Sequence, residues 1–582
     1  MTTWCLIPAR GGSRGLPGKN LASVGGLSLV ARAVLAARAF AIDAALPDLR
    51  IIVDTDDAEI ADEGRRFGAT VPFLRSAALA GDRTSTVDTV LGFFERASTG
   101  ADDDLIVLLQ PTSPLRTAEE IAQVWRAAIE PGAGSAATVT MTSEPSELAL
   151  AMHADGRLSW THGDSADGLR RQDTTPTMHL TGAVYATTLG ALRRSRQFVE
   201  SGRTIGVPTA AGSAIDIDTA ADLAHADALA RAARVAPMRL AGRTLGHARP
   251  TFIIAEAGVN HDGDLAVAHA LVDAAADAGA DAVKFQTFNP AALVSDEAPA
   301  AAYQRARTGA TEQRAMLDAL TLPAEAWTAL AAHAERRHLR FLSTPFDVAS
   351  ADLLDAIGIA AFKVPSGELT NLPFLQNLAR RGKPLLVSTG MATMAEVADA
   401  LLAIRAAGNP PVTLFHCVSA YPAPSEECNL TAIGSLAAAF GVPVGWSDHT
   451  PGTTACVAAA ALGAVILEKH LTLDRTRTGP DHAASLEPMQ FAALVREVRF
   501  VSSALGDGIK APMPSELDVR RVARRSLHAV RDLAAGDTLA DADLVALRPG
   551  TGLPPSAIRS LVGRRLVEQL RRGAVLQEAH LA

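Results

Sequence analysis

Two groups of residues in this 582-residue chain have types and spacings suited to chemistry. The first is a glycine-rich stretch, IPARGGSRGLPGKN at residues 7–20, with Arg10, Arg14 and Lys19 set among the glycines. Glycines let backbone N–H groups approach phosphate oxygens closely, and the cations can hold a triphosphate. The spacing is not that of a P-loop, which would place Ser or Thr where Asn20 stands, and no G-x-G-x-x-G follows. Asp216 and Asp218 alternate in the run IDID (215–218), so as a strand end they would share a face and suit Mg²⁺ held against phosphates. The second group lies in the other half of the chain. His449 and His470, with Asp448, Glu468 and Asp481 nearby in sequence, suit Mn²⁺, Fe²⁺ or Zn²⁺, and a two-histidine site keeps positions open for a substrate oxygen. Lys284, Thr344, Lys363, Ser366 and Ser388 form an anion-binding set, and Lys284, inside AVKFQ, would be costly to bury without a partner. One glycine loop alone is an ordinary strand–helix turn, and one buried histidine an ordinary core residue. Their company argues for sites.

The elements that must position these residues fall into two alternating series. Residues 4–8, 51–53 and 105–109 are strand-like, with helices over 28–40 and from 58 to 66, and 215–218 is expected as a further strand before a helix at 222–234. Strand, polar loop, helix in repetition predicts an α/β sheet with ligand loops at strand C-termini. Residues 237–250 break the pattern and suit a tether or a packed helix. Eight strand-like runs follow, at 252–255, 282–285, 341–343, 361–364, 385–388, 413–416, 444–446 and 465–468. Eight strands over about 250 residues predict a (β/α)₈ barrel, whose active site lies at the C-terminal mouth. Glu256, Lys284, Thr344, Lys363, Ser366, Ser388, Ser419, Ser447 and His470 all stand near strand ends. The expected organisation is 1–232, a linker at 233–249, the barrel at 250–511, and a small basic unit at 522–582.

The strings at 7–20, LLQPTSPLR (108–116), TGAVY (181–185) and IDIDT (215–219) resemble the acylneuraminate cytidylyltransferase (CMP-sialic acid synthetase) family. That resemblance implies a Rossmann-like nucleotidyltransferase sheet. Arg10, Arg14, Lys19 and Asn20 would serve CTP, Gln110 the sugar pocket, Arg171 the acid's carboxylate, and Asp216 with Asp218 Mg²⁺. Thr181 stands where that family usually has Asn. From about residue 250 the strings IIAEAGVNHDG (253–263), DAVKFQTF (281–288), STPFD (343–347), KVPSGE (363–368), STGM (388–391), GWSDHT (445–450), EKHLTLD (468–474) and GPDH (479–482) resemble sialic acid synthase. RRS (524–526) and RPGTG (548–552) resemble its antifreeze-like SAF domain, a small β-rich unit of β-clip type. By this resemblance the barrel condenses phosphoenolpyruvate with an N-acyl mannosamine-type sugar, and the N-terminal half activates the acid with CTP. His449 and His470 would hold Mn²⁺. Lys284, Thr344, Lys363, Ser366, Ser388 and Ser447 would hold phosphoenolpyruvate, Glu256 would move a proton at C2, and Tyr421 and Asp481 would meet the sugar. Arg548 would reach its acyl group from a second copy of the chain, implying a homodimer or larger assembly. A legionaminic- or pseudaminic-type 2,4-diacetamido-6-deoxy sugar is the alternative substrate.

Composition bounds the other classes. Apolar residues at 48% and charged residues at 20% fit a folded protein. A net charge of −9 argues against nucleic acid as partner. Four cysteines without a CxxC pair suggest neither disulfides nor a zinc knuckle. The first residues lack a signal-peptide pattern and no apolar run would span a bilayer, so a cytoplasmic protein without membrane partners is expected. A different phosphoenolpyruvate or aldolase chemistry is the rival enzyme reading. A sensor or an ice-binding surface is the non-catalytic one, and it predicts damaged metal and phosphate positions.

Overall fold

The computed structural model describes residues 1–13, 15–81, 84–141, 149–161, 177–210, 212–233, 235–246 and 248–582. The chain divides into two compact units, Met1–Leu505 and Gly506–Ala582.

The first unit begins with a six-stranded mixed sheet in the order Thr204–Pro208, Ser135–Met141, Met178–Thr188, Leu105–Leu109, Thr3–Pro8, Arg50–Asp54. Thr3–Pro8 runs parallel to both neighbours, while Met178–Thr188 is antiparallel to both of its own. Leu105–Leu109 is buried at every position, as expected of a central strand covered on both faces. Residues 9–13 and Gln110 therefore follow the C-terminal ends of adjacent parallel strands, the usual place for a ligand in such a sheet. The expected strand at 215–218 is not a strand. Its side chains alternate, with Ile217 buried and Asp216 and Asp218 exposed, but none of the described residues pairs with it as a strand. Ile217 N–H donates to the Thr112 carbonyl instead.

Eight parallel strands then form a barrel: Phe252–Gly258, Ala282–Thr287, Arg340–Pro345, Phe362–Val364, Leu385–Ser388, Val412–Cys417, Val444–Asp448 and Ile466–His470. Seven hydrogen-bonded ladders link them. The remaining junction, between Arg340–Pro345 and Phe362–Val364, sets two strands side by side. The described residues of 237–250 are neither tether nor helix. Met238–Leu240 and Arg243–Leu245 make an antiparallel hairpin, and Met238, Leu240 and Leu245 pack with Phe252, Ile254, Leu342, Leu386, Phe415 and Ile466 inside the barrel. The hairpin thus plugs the end opposite the polar residues.

The sheet and the barrel pack side by side within this unit. Helix Leu29–Asp43 meets helix Met394–Ala406, where Arg38 pairs with Asp399 at 2.7 Å and Arg405 pairs with Asp43. Ala395 is counted in the apolar core of the sheet, with Met394 and Phe440 against it. No helix among the described residues is long and apolar enough to cross a membrane. In the second unit, Ser526–Ala529 pairs with Leu544–Leu547, and a core of leucines from Leu527 to Leu581 holds the rest.

Removing buried methylenes from a packed core costs the transfer term plus a cavity. Leu240→Ala is expected to destabilise the barrel by about 2–5 kcal/mol, while Arg239→Ala, exposed on the same hairpin, stays within about 0.5 kcal/mol. Chemical denaturation followed by tryptophan fluorescence measures both, and equal midpoints for the two variants would take the hairpin out of the core.

Candidate active sites

Strand alternation sends Glu256, Lys284, Lys363, Ser447, Glu468 and His470 into the barrel, where all are buried and line one cavity of about 540 Å³. Lys284 Nζ lies 2.6 Å from Glu256 Oε2, donates to Thr344 Oγ1 at 2.9 Å, and stands 3.7 Å from Glu468 Oε2. Lys363 Nζ lies 3.2 Å from Glu468 Oε1, which also accepts from Ser447 Oγ at 2.9 Å. The two carboxylates differ in setting. Burial pushes the Glu256 carboxyl up to about 7 despite Lys284. Burial acts on Glu468 too, but Lys284 and Lys363 outweigh it and hold the group down at about 2. Burial alone would lower Lys284, yet Glu256 and Glu468 raise it, so its charge is secure. The result is a cationic pocket whose cations rest on internal counter-ions that an entering anion can share.

His449 and His470 stand beside this box with ring centroids 5.5 Å apart. His449 Nδ1 is 2.6 Å from the Val418 carbonyl, and Tyr421 lies over its ring at 4.1 Å. Burial lowers both histidines, with His449 adding to the effect on His470, so both are neutral and keep lone pairs. His470 Nδ1 is buried without a hydrogen-bond partner, and the Asp481 carboxylate is 3.7 Å away. Burial pushes Asp481 up to about 6. Neutral imidazoles with an orphaned buried nitrogen fit a divalent metal ion. Among the described residues, no cluster of three or more His, Cys, Asp or Glu is placed to hold a metal ion. Asp448, one residue off in the strand period, faces away from the barrel interior, where it binds Lys469 Nζ at 2.8 Å and accepts from Cys456. Its expected place beside the histidines is corrected: it is structural. Ser366, Ser388 and Ser419 complete the wall. The chain there is tight, because Gly390 N–H donates to Ser366 Oγ at 3.1 Å and a Cβ on Gly390 would fall 2.3 Å from Ser419 Oγ.

The N-terminal sheet carries a second cleft of about 270 Å³, lined by Arg10, Ser13, Lys19, Asn20, Arg75, Thr84 and Gln110 among others. Asn20 is buried and its amide donates to the Arg10 carbonyl at 2.9 Å, bracing the loop from inside. Gly15 presses on the 216–218 segment so closely that a Cβ would sit 2.5 Å from the Asp218 carbonyl oxygen. Lys19 Nζ bonds the Ile217 carbonyl at 2.8 Å and Asp218 Oδ1 at 3.1 Å. Asp216 and Asp218 are outside the lining of the cleft, though hard exposed carboxylates suit Mg²⁺. Thr181 turns to Thr138 Oγ1 at 2.6 Å. Arg14 and Arg171 lie outside the described residues. Arg548 is exposed on the second unit. One residue had no expected role. Arg75, fixed by Asp54 at 2.9 Å, belongs to no recognisable string and adds a buried cation to the cleft. Glu468, expected beside the histidines, spans both lysines instead.

Ionising Glu256 puts negative charge beside Lys284. The affinity of the barrel for sulfate, whose charge is fixed, is therefore expected to fall as pH rises through about 7, where Glu256 loses its proton. By calorimetry, Glu256→Gln should lose the part of this fall centred near 7 and keep the shallower part owed to Asp481, which titrates at about 6 in the same cavity. A pH dependence unchanged in that variant would assign the titration to another group.

Residues 271–510 match the NeuB family, residues 4–155 the cytidylyltransferase family and residues 524–582 the SAF domain. An N,N'-diacetyllegionaminic acid synthase of Campylobacter jejuni is 43% identical over 57% of this chain and 100% of its own length. The enzyme of that name from Legionella pneumophila is 43% identical over 58% of this chain and 96% of its own. The N-acetylneuraminate-9-phosphate synthase of Homo sapiens is 35% identical over 58% and 94%. With the eight-stranded barrel and its polar interior already in view, the chain belongs to the NeuB family of synthases, preceded by a cytidylyltransferase domain and followed by a SAF domain.

Proposed function

We propose that the barrel condenses phosphoenolpyruvate with the aldehyde of an open-chain N-acyl amino sugar to give a nonulosonic acid, and that the N-terminal sheet joins this acid to CMP. The observation that carries the reading is one enclosure holding two compensated lysines beside two neutral histidines. An anionic enol and a neutral aldehyde need those two environments within one molecule's reach.

In the condensation C3 of the enol attacks the aldehyde carbon, water adds at C2, and phosphate leaves. Lys284 and Lys363 hold the carboxylate and phosphate, with Thr344, Ser366, Ser388 and Ser447 as neutral donors. Glu468 keeps the two ammonium groups at fixed spacing. Glu256, poised near neutrality, exchanges a proton with the water at C2. His449 and His470 would hold Mn²⁺, which when bound supplies Lewis-acid polarisation of the aldehyde. Tyr421 and Asp481 orient the sugar, and Arg548 of a second copy meets its acyl group. In the sheet, the acid's anomeric hydroxyl attacks the α-phosphate of CTP and pyrophosphate leaves. Such transfer needs positioning and charge neutralisation above all. Arg10, Lys19 and Arg75 supply the charge, Gln110 faces the sugar, and Asp216 with Asp218 would hold Mg²⁺, releasing Lys19 from Asp218 toward the phosphates.

Incubating the protein with Mn²⁺, Mg²⁺, phosphoenolpyruvate, CTP and amino sugars should yield free acid and its CMP conjugate by mass. His449→Ala is expected to abolish phosphate release while sparing CTP-dependent activation of added acid, and equal loss of both would contradict separate sites. Lys19→Ala should raise the KM for CTP about 10- to 100-fold with condensation intact, and an unchanged KM would remove Lys19 from the triphosphate.

A further inference from the structure

His449 and His470 stand at the ends of neighbouring strands, Val444–Asp448 and Ile466–His470, and a buried charged pair that the reactions above leave unused lies behind them. Asp448 and Lys469 face each other across the ladder on the outer side of the barrel, one position after Ser447 and Glu468 on the inner side. Water reaches neither side chain of the outer pair. Lys469 Nζ lies 2.8 Å from Asp448 Oδ2 and also donates to the Thr450 carbonyl. Asp448 Oδ1 accepts from the Thr450 N–H at 2.8 Å, and Oδ2 accepts from the Cys456 thiol, which burial keeps protonated. The lysine of one strand therefore grips the residues on both sides of His449 in the other.

We propose that Lys469 is a positioning residue for His449: through Asp448 and the Thr450 carbonyl it holds that ring at a fixed separation from His470, so that both can face one divalent ion. The inference rests on the metal reading above. His449 needs such a grip because it lies one residue past its strand, where the ladder has ended at Asp448 and Lys469. His470 is still within its own strand. The His449 ring is turned by Nδ1–H donating to the Val418 carbonyl at 2.6 Å, which leaves the lone pair on Nε2. The energetics point to position rather than to stability. Taking two charges wholly out of water costs about as much as their attraction returns, so an uncharged pair of similar volume is often no less stable. Such a pair would leave the 448–450 turn without its link to the next strand. Groups that orient metal ligands from behind typically carry about 10- to 100-fold of the affinity.

The test titrates Mn²⁺ alone into the full-length protein and follows the free ion by electron paramagnetic resonance, with the binding lost in His449→Ala marking the barrel site. Lys469→Met leaves a buried carboxylate without its cation and should lower both the urea midpoint and the Mn²⁺ affinity. Asp448→Asn combined with Lys469→Met removes both charges and keeps an acceptor for the Thr450 N–H. This double variant should recover the urea midpoint and bind sulfate as the parent does, yet hold Mn²⁺ about 10- to 100-fold more weakly. Stability regained without metal affinity is the result expected of a positioning residue. Mn²⁺ affinity equal to the parent's in the double variant overturns the proposal. So does a parallel loss of midpoint, sulfate affinity and Mn²⁺ affinity, which a pair that only stabilises the barrel would give. If His449→Ala removes no Mn²⁺ binding from the parent, the metal reading itself fails and the positioning role falls with it.

Discussion

Two ammonium groups and two carboxylates share the barrel interior, each nearly or wholly out of reach of water, and their compensation is the condition on which the rest of that site depends. An isolated charge there would lose its proton or gain one, or unfold the strand carrying it. Glu468 prevents this by touching both lysines, which lets Lys284 and Lys363 stay where an anion needs them. Cations and burial divide the carboxylates: Glu468, facing both lysines, stays ionised, while burial pushes Glu256 toward neutrality despite Lys284. A pair of like groups with separated proton affinities is a usual way to make an acid and a spectator from one residue type. The histidines lie at the edge of the box, neutral because they are buried, and so keep lone pairs rather than protons.

Such a polar interior needs one dry end. The hairpin of Met238–Leu240 and Arg243–Leu245 provides it, filling the layer under the charges with apolar side chains. That position explains why the stretch between the sheet and the barrel is not a loose tether: its side chains complete the barrel core before the first barrel strand begins. The junction is also packed laterally. Alanine and methionine at the start of helix Met394–Ala406 enter the core of the sheet, with Arg38–Asp399 and Arg405–Asp43 beside them.

The eight barrel strands were legible because parallel strands buried on both sides are continuous apolar runs, and the polar residues ending them mark one face. Their ends shifted by up to three residues, as from 252–255 to Phe252–Gly258. The hairpin was not legible: three residues per strand, MRL and RTL, are too few for alternation to stand out beside flanking prolines. At 215–218 the alternation was genuine, but it reports which side chains are covered and says nothing of a pairing neighbour. Asp448 shows the same rule used too little, since Ser447 and His449 face inward and the residue between them must face out. Arg75 had no signal at all, being a single cation brought by a loop.

The order of domains along the chain runs against the proposed order of reactions, and the packing shows why this costs nothing. The sheet touches the barrel through the sides of its helices, Leu29–Asp43 on Met394–Ala406 and Ala220–Ala232 on Ala432–Phe440. These surfaces are distinct from the strand ends that open the two cavities, so each cavity keeps its own entrance and its own charged residues. What the junction transmits is position: Gly26 fits so closely on helix Ala432–Phe440 that a Cβ would lie 3.1 Å from Ser435 Cβ. That helix follows the loop carrying Tyr421, whose ring lies 4.1 Å from that of His449 at a tilt of 37°, and Gly26 follows the loop carrying Lys19. The shared wall is close-packed at this point, while each cavity carries its own charges.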